Sequence, residues 1–136
     1  MKKILMMMIL INSSFVIAKE DPVESCIAAY SGAESVECLK KIYSALNQEL
    51  DQLNQTMLLS LEYRDKEDII TVNHYTSALR AFKRSILDFT LYRESSCHFR
   101  TYYSGAVASG YGQILYSCLI KQTEIRTEYL KSILKP

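Results

Sequence analysis

Four cysteines, two histidines and a tyrosine-rich stretch carry most of the chemistry this chain could do. Cys26, Cys38, Cys97 and Cys118 are an even number in a chain of 136 residues, which suits either a disulfide framework or a metal site. No two of them stand in a CxxC pair, and His74 and His98 lack partners at ligand spacing, so structural zinc is not expected. Nucleophilic catalysis needs a nucleophile, a base and an orienting group held together. Neither histidine lies in such a constellation, no phosphate-binding glycine loop follows a strand, and no carboxylate pair stands apart from the solvated surface. The reading is therefore a non-enzyme without cofactor or metal.

The start of the chain decides how the cysteines are used. Lys2 and Lys3 precede an apolar run from Ile4 to Ile17, and Val16-Ile17-Ala18 has the form of a cleavage site, so residues 1–18 read as a secretory signal peptide. At roughly 14 residues the run is shorter than the ~20 a spanning helix needs, so no stable membrane anchor is expected after cleavage. The remaining residues, 19–136, form one domain in the periplasm or outside the cell. There the four cysteines would be oxidised. Three pairings are open, and proximity favours Cys26–Cys38 and Cys97–Cys118, each closing a loop that adds roughly 3 kcal/mol in the chain-entropy model.

Composition excludes other classes. With 49% hydrophobic and 23% charged residues and only 4 Gly and 2 Pro, the chain is neither disordered nor collagen-like. Its net charge is +1, and without Lys2 and Lys3 the balance is 14 basic against 15 acidic residues, or −1. A nucleic-acid binder needs a basic face, and none is present.

The elements that must position these residues read as helices. Asp21-Pro22-Val23-Glu24 is a helix start, with Asp as cap, Pro at the first helical position and Glu reaching back; this short helix carries Cys26 and ends near Gly32. Ser31 and Glu34 have capping-box spacing for a second helix. Leu39, Tyr43, Leu46, Leu50, Leu53, Met57 and Leu61 follow in steps of three and four, one apolar face of a long helix ending near residue 62. Glu62 to Asp68 should be a solvated turn. The β-branched Ile69-Ile70-Thr71-Val72 run is expected to be helical, because a lone strand has nothing to pair with. Val72, Tyr75, Leu79, Phe82, Ile86 and Phe89 form the next stripe, which should pack against the previous one and which meets Arg93 a turn after Phe89. From residue 98 to 112 the chain is rich in tyrosine, serine and glycine, a mix that suits a binding loop, here tied at its base by Cys97–Cys118. A last helix, from about Gln113 to Leu134, offers Leu115, Leu119, Ile125, Tyr129, Leu130, Ile133 and Leu134. The fold expected is all-α, a small antiparallel bundle with a short first helix and three longer ones.

Two cysteine-anchored segments give a family resemblance. Phe89-Thr90-Leu91-Tyr92-Arg93-Glu94-Ser95-Ser96-Cys97 resembles an aromatic, three-residue, Arg-acid, two-residue, Cys pattern, and Cys118, Thr123, Arg126 and Leu130 resemble a Cys…Thr-x-x-Arg-x-x-x-Leu ending. Both are similar to the lysozyme inhibitor LprI-like N-terminal domain of exported bacterial proteins. Glu34 with Cys38 and Leu53-Asn54-Gln55-Thr56-Met57 match more weakly, with Phe89 and Met57 standing where Trp and Tyr are usual. The resemblance implies a disulfide-tied helical domain whose protein partner is a lysozyme. Arg93 and Arg126, beside apolar stripes, should be forked onto carboxylates or helix-end carbonyls, with Glu34, Glu37 and Asp51 as candidates. A lysozyme cleft works through two carboxyl groups, so His98, Arg100, Tyr102, Tyr103 and Ser104 are the expected partner contacts. The alternative is an envelope interaction or assembly role without lysozyme inhibition.

Overall fold

The computed structural model describes residues 21–135, so the expected signal peptide, residues 1–18, lies outside the described residues. Four helices follow one another: α1 (Pro22–Ala29), α2 (Gly32–Lys66), α3 (Val72–Tyr103) and α4 (Ser109–Leu134). Asp21 Oδ1 accepts from the Val23 N–H at 2.8 Å and Pro22 opens the helix, as the sequence implies. Ser31 sits at the cap of α2 in extended conformation, but its side chain makes no capping bond. The turn into α2 is made by the backbone instead: Gly32 takes a φ of +54°, left-handed territory that glycine enters without a Cβ clash.

At 35 residues, α2 runs for about 52 Å and is the axis of the molecule. It continues to Lys66, four residues beyond the expected end, and stops in a Schellman arrangement. The Ile69 N–H reaches Arg64 O at 2.9 Å and the Asp68 N–H reaches Asp65 O at 3.2 Å, with Asp68 in the left-handed position at φ 53° where glycine is usual. Ile69 and Ile70 consequently belong to the turn, which corrects the helical expectation for that run. Thr71 caps α3 by accepting from the His74 N–H at 3.3 Å.

A second correction concerns the tyrosine-rich segment. α3 continues through Cys97 to Tyr103, and α4 begins at Ser109, so the connection is residues 104–108 rather than a long loop. Gly110 and Gly112 lie inside α4. A Cβ on Gly112 would stand 2.9 Å from both Val36 Cγ1 and Cγ2, so this glycine serves the close approach of α4 to α2. Gly112 thus serves packing within a helix.

The pairing is Cys26–Cys38, joining α1 to α2 with Cα atoms 5.7 Å apart, and Cys97–Cys118, joining α3 to α4 at 5.5 Å. Around the first lie Leu39 and Ile120, and around the second Leu119, with Tyr43 and Tyr116 packed between. Further along, Leu50, Met57 and Leu130 form a core flanked by Leu53, Phe82, Phe89 and Leu134. α4 packs chiefly on α2, and α3 closes against both. The α3 stripe seats itself at Phe82 and Phe89, whereas Val72 is 71% exposed. On α4 the inner face is Leu119, Ile120, Thr123, Thr127 and Leu130; the expected Ile125, Tyr129 and Ile133 face outward. Of the two buried threonines in place of aliphatics, Thr123 is what α4 offers to Arg93 of α3.

Candidate functional site

Cys97 and Cys118 are buried and hold the last turns of α3 against the first turns of α4, which makes the end bearing residues 98–112 a rigid platform. Thr101, fully buried, donates its hydroxyl to Cys97 O at 2.8 Å. Ser104 donates to Thr101 O at 2.6 Å and accepts from the Ala106 N–H at 3.3 Å. Its hydroxyl is thus engaged in shaping the turn.

The predicted contact residues separate into two groups. His98 lies within 3.1 Å of the Tyr111 hydroxyl through Nδ1 and stacks on Tyr102 at 6.0 Å, while Tyr102 meets Tyr111 at 5.7 Å. These three rings bridge α3 and α4. Hydrogen bonding with the Tyr102 hydroxyl, and then desolvation, push the Tyr111 phenol above its ordinary pKa. On the other side Phe99 stacks on Tyr103 at 5.8 Å, and both rings face solvent, Phe99 68% and Tyr103 85% exposed. Arg100 is exposed beside them and has no salt bridge among the described residues. Tyr111 was not singled out from sequence as a site residue, because its ring reaches His98 only once the turn is five residues long.

The second motif group, Phe89, Arg93, Thr123, Arg126 and Leu130, converges on the seam where α3 and α4 meet α2. Arg93 is 5% exposed. Its Nη1 donates to Asn47 Oδ1 at 2.9 Å and to Thr123 Oγ1 at 3.0 Å, and Nη2 stands 3.5 Å from Glu94 Oε1. The guanidinium lies over the rings of Tyr43 and Phe89, 5.3 Å from each centroid. Thr123 passes its own proton to Leu119 O at 2.7 Å. Arg126 donates to Ser85 Oγ at 2.8 Å and lies over Phe89 and Tyr129. The expected carboxylates Glu34, Glu37 and Asp51 therefore pair with neither arginine. Glu37 bonds Lys40, and Glu34, 13 positions before Asn47 on α2, stands about 20 Å away along the helix axis. Neutral oxygens and aromatic faces, with Glu94 from the same helix, take the place of the expected carboxylates of α2, which is the physical reason α4 carries Thr123 at its inner face. Tyr43 donates to Glu94 Oε1 at 3.3 Å. Burial raises its phenol pKa, and the nearby Arg93 charge opposes that rise.

A protein-family model described as Lysozyme inhibitor LprI matches residues 26–130. The chain belongs to the LprI family. The matched span contains both disulfides, the Phe89–Cys97 segment and the Cys118–Leu130 segment on which the resemblance rested. No curated protein and no solved structure matches the chain. At the level of the family the role is lysozyme inhibition. In this LprI-family chain, the buried Arg93 seam and the exposed aromatic end are distinct parts of one scaffold. No helix among the described residues is long and apolar enough to cross a membrane, and no group of three or more His, Cys, Asp or Glu among them could hold a metal ion.

Proposed function

We propose that this LprI-family protein is exported, loses residues 1–18, and inhibits lysozyme with the aromatic end of α3 and the 104–108 turn. The observation that carries this reading is the exposure of Phe99, Arg100 and Tyr103 on an end pinned by Cys97–Cys118. Rigid aromatic area loses little entropy on docking. Arg100 is then the group that enters a cleft working through two carboxyl groups, with Phe99, Tyr102 and Tyr103 as the surrounding apolar contact. His98 and Ser104 support that surface, the first through Tyr111 and the second through the turn.

A muramidase assay with the oxidised protein, titrated against chicken-type, goose-type and bacterial lysozymes, tests the activity. Stoichiometric inhibition that Arg100→Ala with Tyr103→Ala weakens, at unchanged helical signal, is the expected result. Full inhibition by the double variant removes this end from the mechanism; absence of inhibition in every class removes the function. A second reading, an envelope protein partner, is favoured by Leu87 and Leu91, two exposed leucines one turn apart on α3. Recovery of an envelope protein and no lysozyme in a pull-down supports it.

A further inference from the structure

Where α2 and α3 diverge and Arg126 reaches in from α4, the helices leave a cavity of about 130 Å³ lined by Asn47, Asp51, Asn54, Phe89, Arg93 and Arg126. Two guanidiniums face this space and only one carboxylate does. Asp51 and Arg126 form no salt bridge among the described residues. Glu94 touches Arg93 from the Tyr43 side and is not part of the lining.

Two buried polar atoms here have no partner: Arg93 Nε and Asn54 Oδ1. Both residues are more than nine-tenths buried, where a polar group without a partner is costly. Arg93 uses Nη1 for Asn47 and Thr123 and sets Nη2 against Glu94, leaving Nε–H as the donor without a partner, a group that fits a carboxylate oxygen. The Asn54 amide keeps its outline when oxygen and nitrogen exchange places, so half a turn converts its unpaired acceptor into a second donor. Leu50, Ile86 and Phe89 supply an apolar wall.

We infer that this cavity binds a carboxylate carried on a short apolar stub. Charge and lining argue for a monoanion with one or two carbons behind it over a phosphate or sulfate, since Glu94 already stands against Arg93, of the two arginines Arg126 alone lacks an ion pair among the described residues, and a dianion would add a second charge beside Asp51. The same group occurs in a free short-chain acid and in an acidic side chain of a protein. This inference is independent of the lysozyme reading.

Titration of the full oxidised chain with propionate at constant ionic strength, followed through the Arg93 Nε–H and Asn54 side-chain NH₂ signals by NMR, tests it. Saturable shifts with propionate, absent with the neutral isostere propionamide and with chloride, are expected. Saturation by propionate identifies a free-acid site; saturation by N-acetylglutamyl amide alone identifies an acidic side chain as the occupant. Arg126→Gln should weaken binding by about tenfold. Asp51→Asn, an exposed change that spares the fold, should tighten it by about threefold. Equal, non-saturating responses to propionate, propionamide and chloride would mean a cavity filled by water, and an unchanged affinity in Asp51→Asn would remove the charge argument; either result overturns the inference.

Discussion

Arg93 is buried among neutral oxygens and ring faces with the Glu94 carboxylate at its edge, and this governs what its replacement does. Arg93→Ala deprives Asn47 and Thr123 of a charged donor and removes a side chain wedged between Tyr43 and Phe89. Loss of charge-assisted hydrogen bonds together with packing should cost about 3 kcal/mol, read as a lowered urea midpoint. Arg93→Lys keeps the charge but cannot reproduce the planar fork, so about half that loss is expected. Tyr43, beside it, gives a pH signature. Burial holds the folded phenol above its ordinary pKa, so the unfolded chain releases that proton first as pH rises. The contribution is complete below about pH 10 and is lost as pH climbs above it. Tyr43→Phe should therefore lose less stability than the parent between pH 9 and 11 in denaturant titrations. An identical pH dependence for the two proteins would contradict this assignment.

At the scale of elements, packing decided what local composition did not. Gly112 in α4 abuts Val36 in α2, so Gly112→Ala should destabilise by about 2 kcal/mol through overpacking despite alanine's better helix propensity. Adding Val36→Ala should recover part of the loss; a double-variant cycle of unfolding energies measures the coupling. This same glycine explains why the helical character of residues 109–112 is not legible in the sequence: glycine and serine lower helix propensity locally, while the contact that selects glycine comes from a residue 76 positions earlier. The break after α2 was hidden for a related reason, since Asp68 performs the turn without glycine or proline. Asp68→Gly should be neutral or stabilise by about 0.5 kcal/mol, because the left-handed position costs glycine less. By contrast, the Leu39–Met57 stripe, the α1 cap at Asp21 and both disulfides were legible, because spacing along one chain segment carries them. The partners of Arg93 were not, because Asn47 and Thr123 are brought to it only by the packing of three helices.

For the whole molecule, both disulfides lie toward one end. Tyr43 and Tyr116 pack against the buried clusters that contain Cys26 and Cys97, whereas the end holding the α2–α3 turn is secured by Leu50, Met57 and Leu130 alone among the fully buried apolar residues described there. The cross-linked end also carries Phe99, Arg100 and Tyr103. Cross-linking should thus matter twice there, for stability and for holding the exposed surface in one arrangement before a partner arrives. The two bonds are separable by this argument. Cys97–Cys118 spans 21 residues and Cys26–Cys38 spans 12, so chain entropy alone assigns each about 3 kcal/mol. Their effects on function should differ, since only Cys97–Cys118 clamps the last turns of α3. Replacing Cys97 and Cys118 by alanine should lower both the unfolding midpoint and the potency of lysozyme inhibition at temperatures where the variant stays folded. Replacing Cys26 and Cys38 by alanine should lower the midpoint alone, by freeing α1 from α2. Equal losses of potency from the two pairs would mean that inhibition depends on global stability, and would shift the binding surface away from the α3–α4 end.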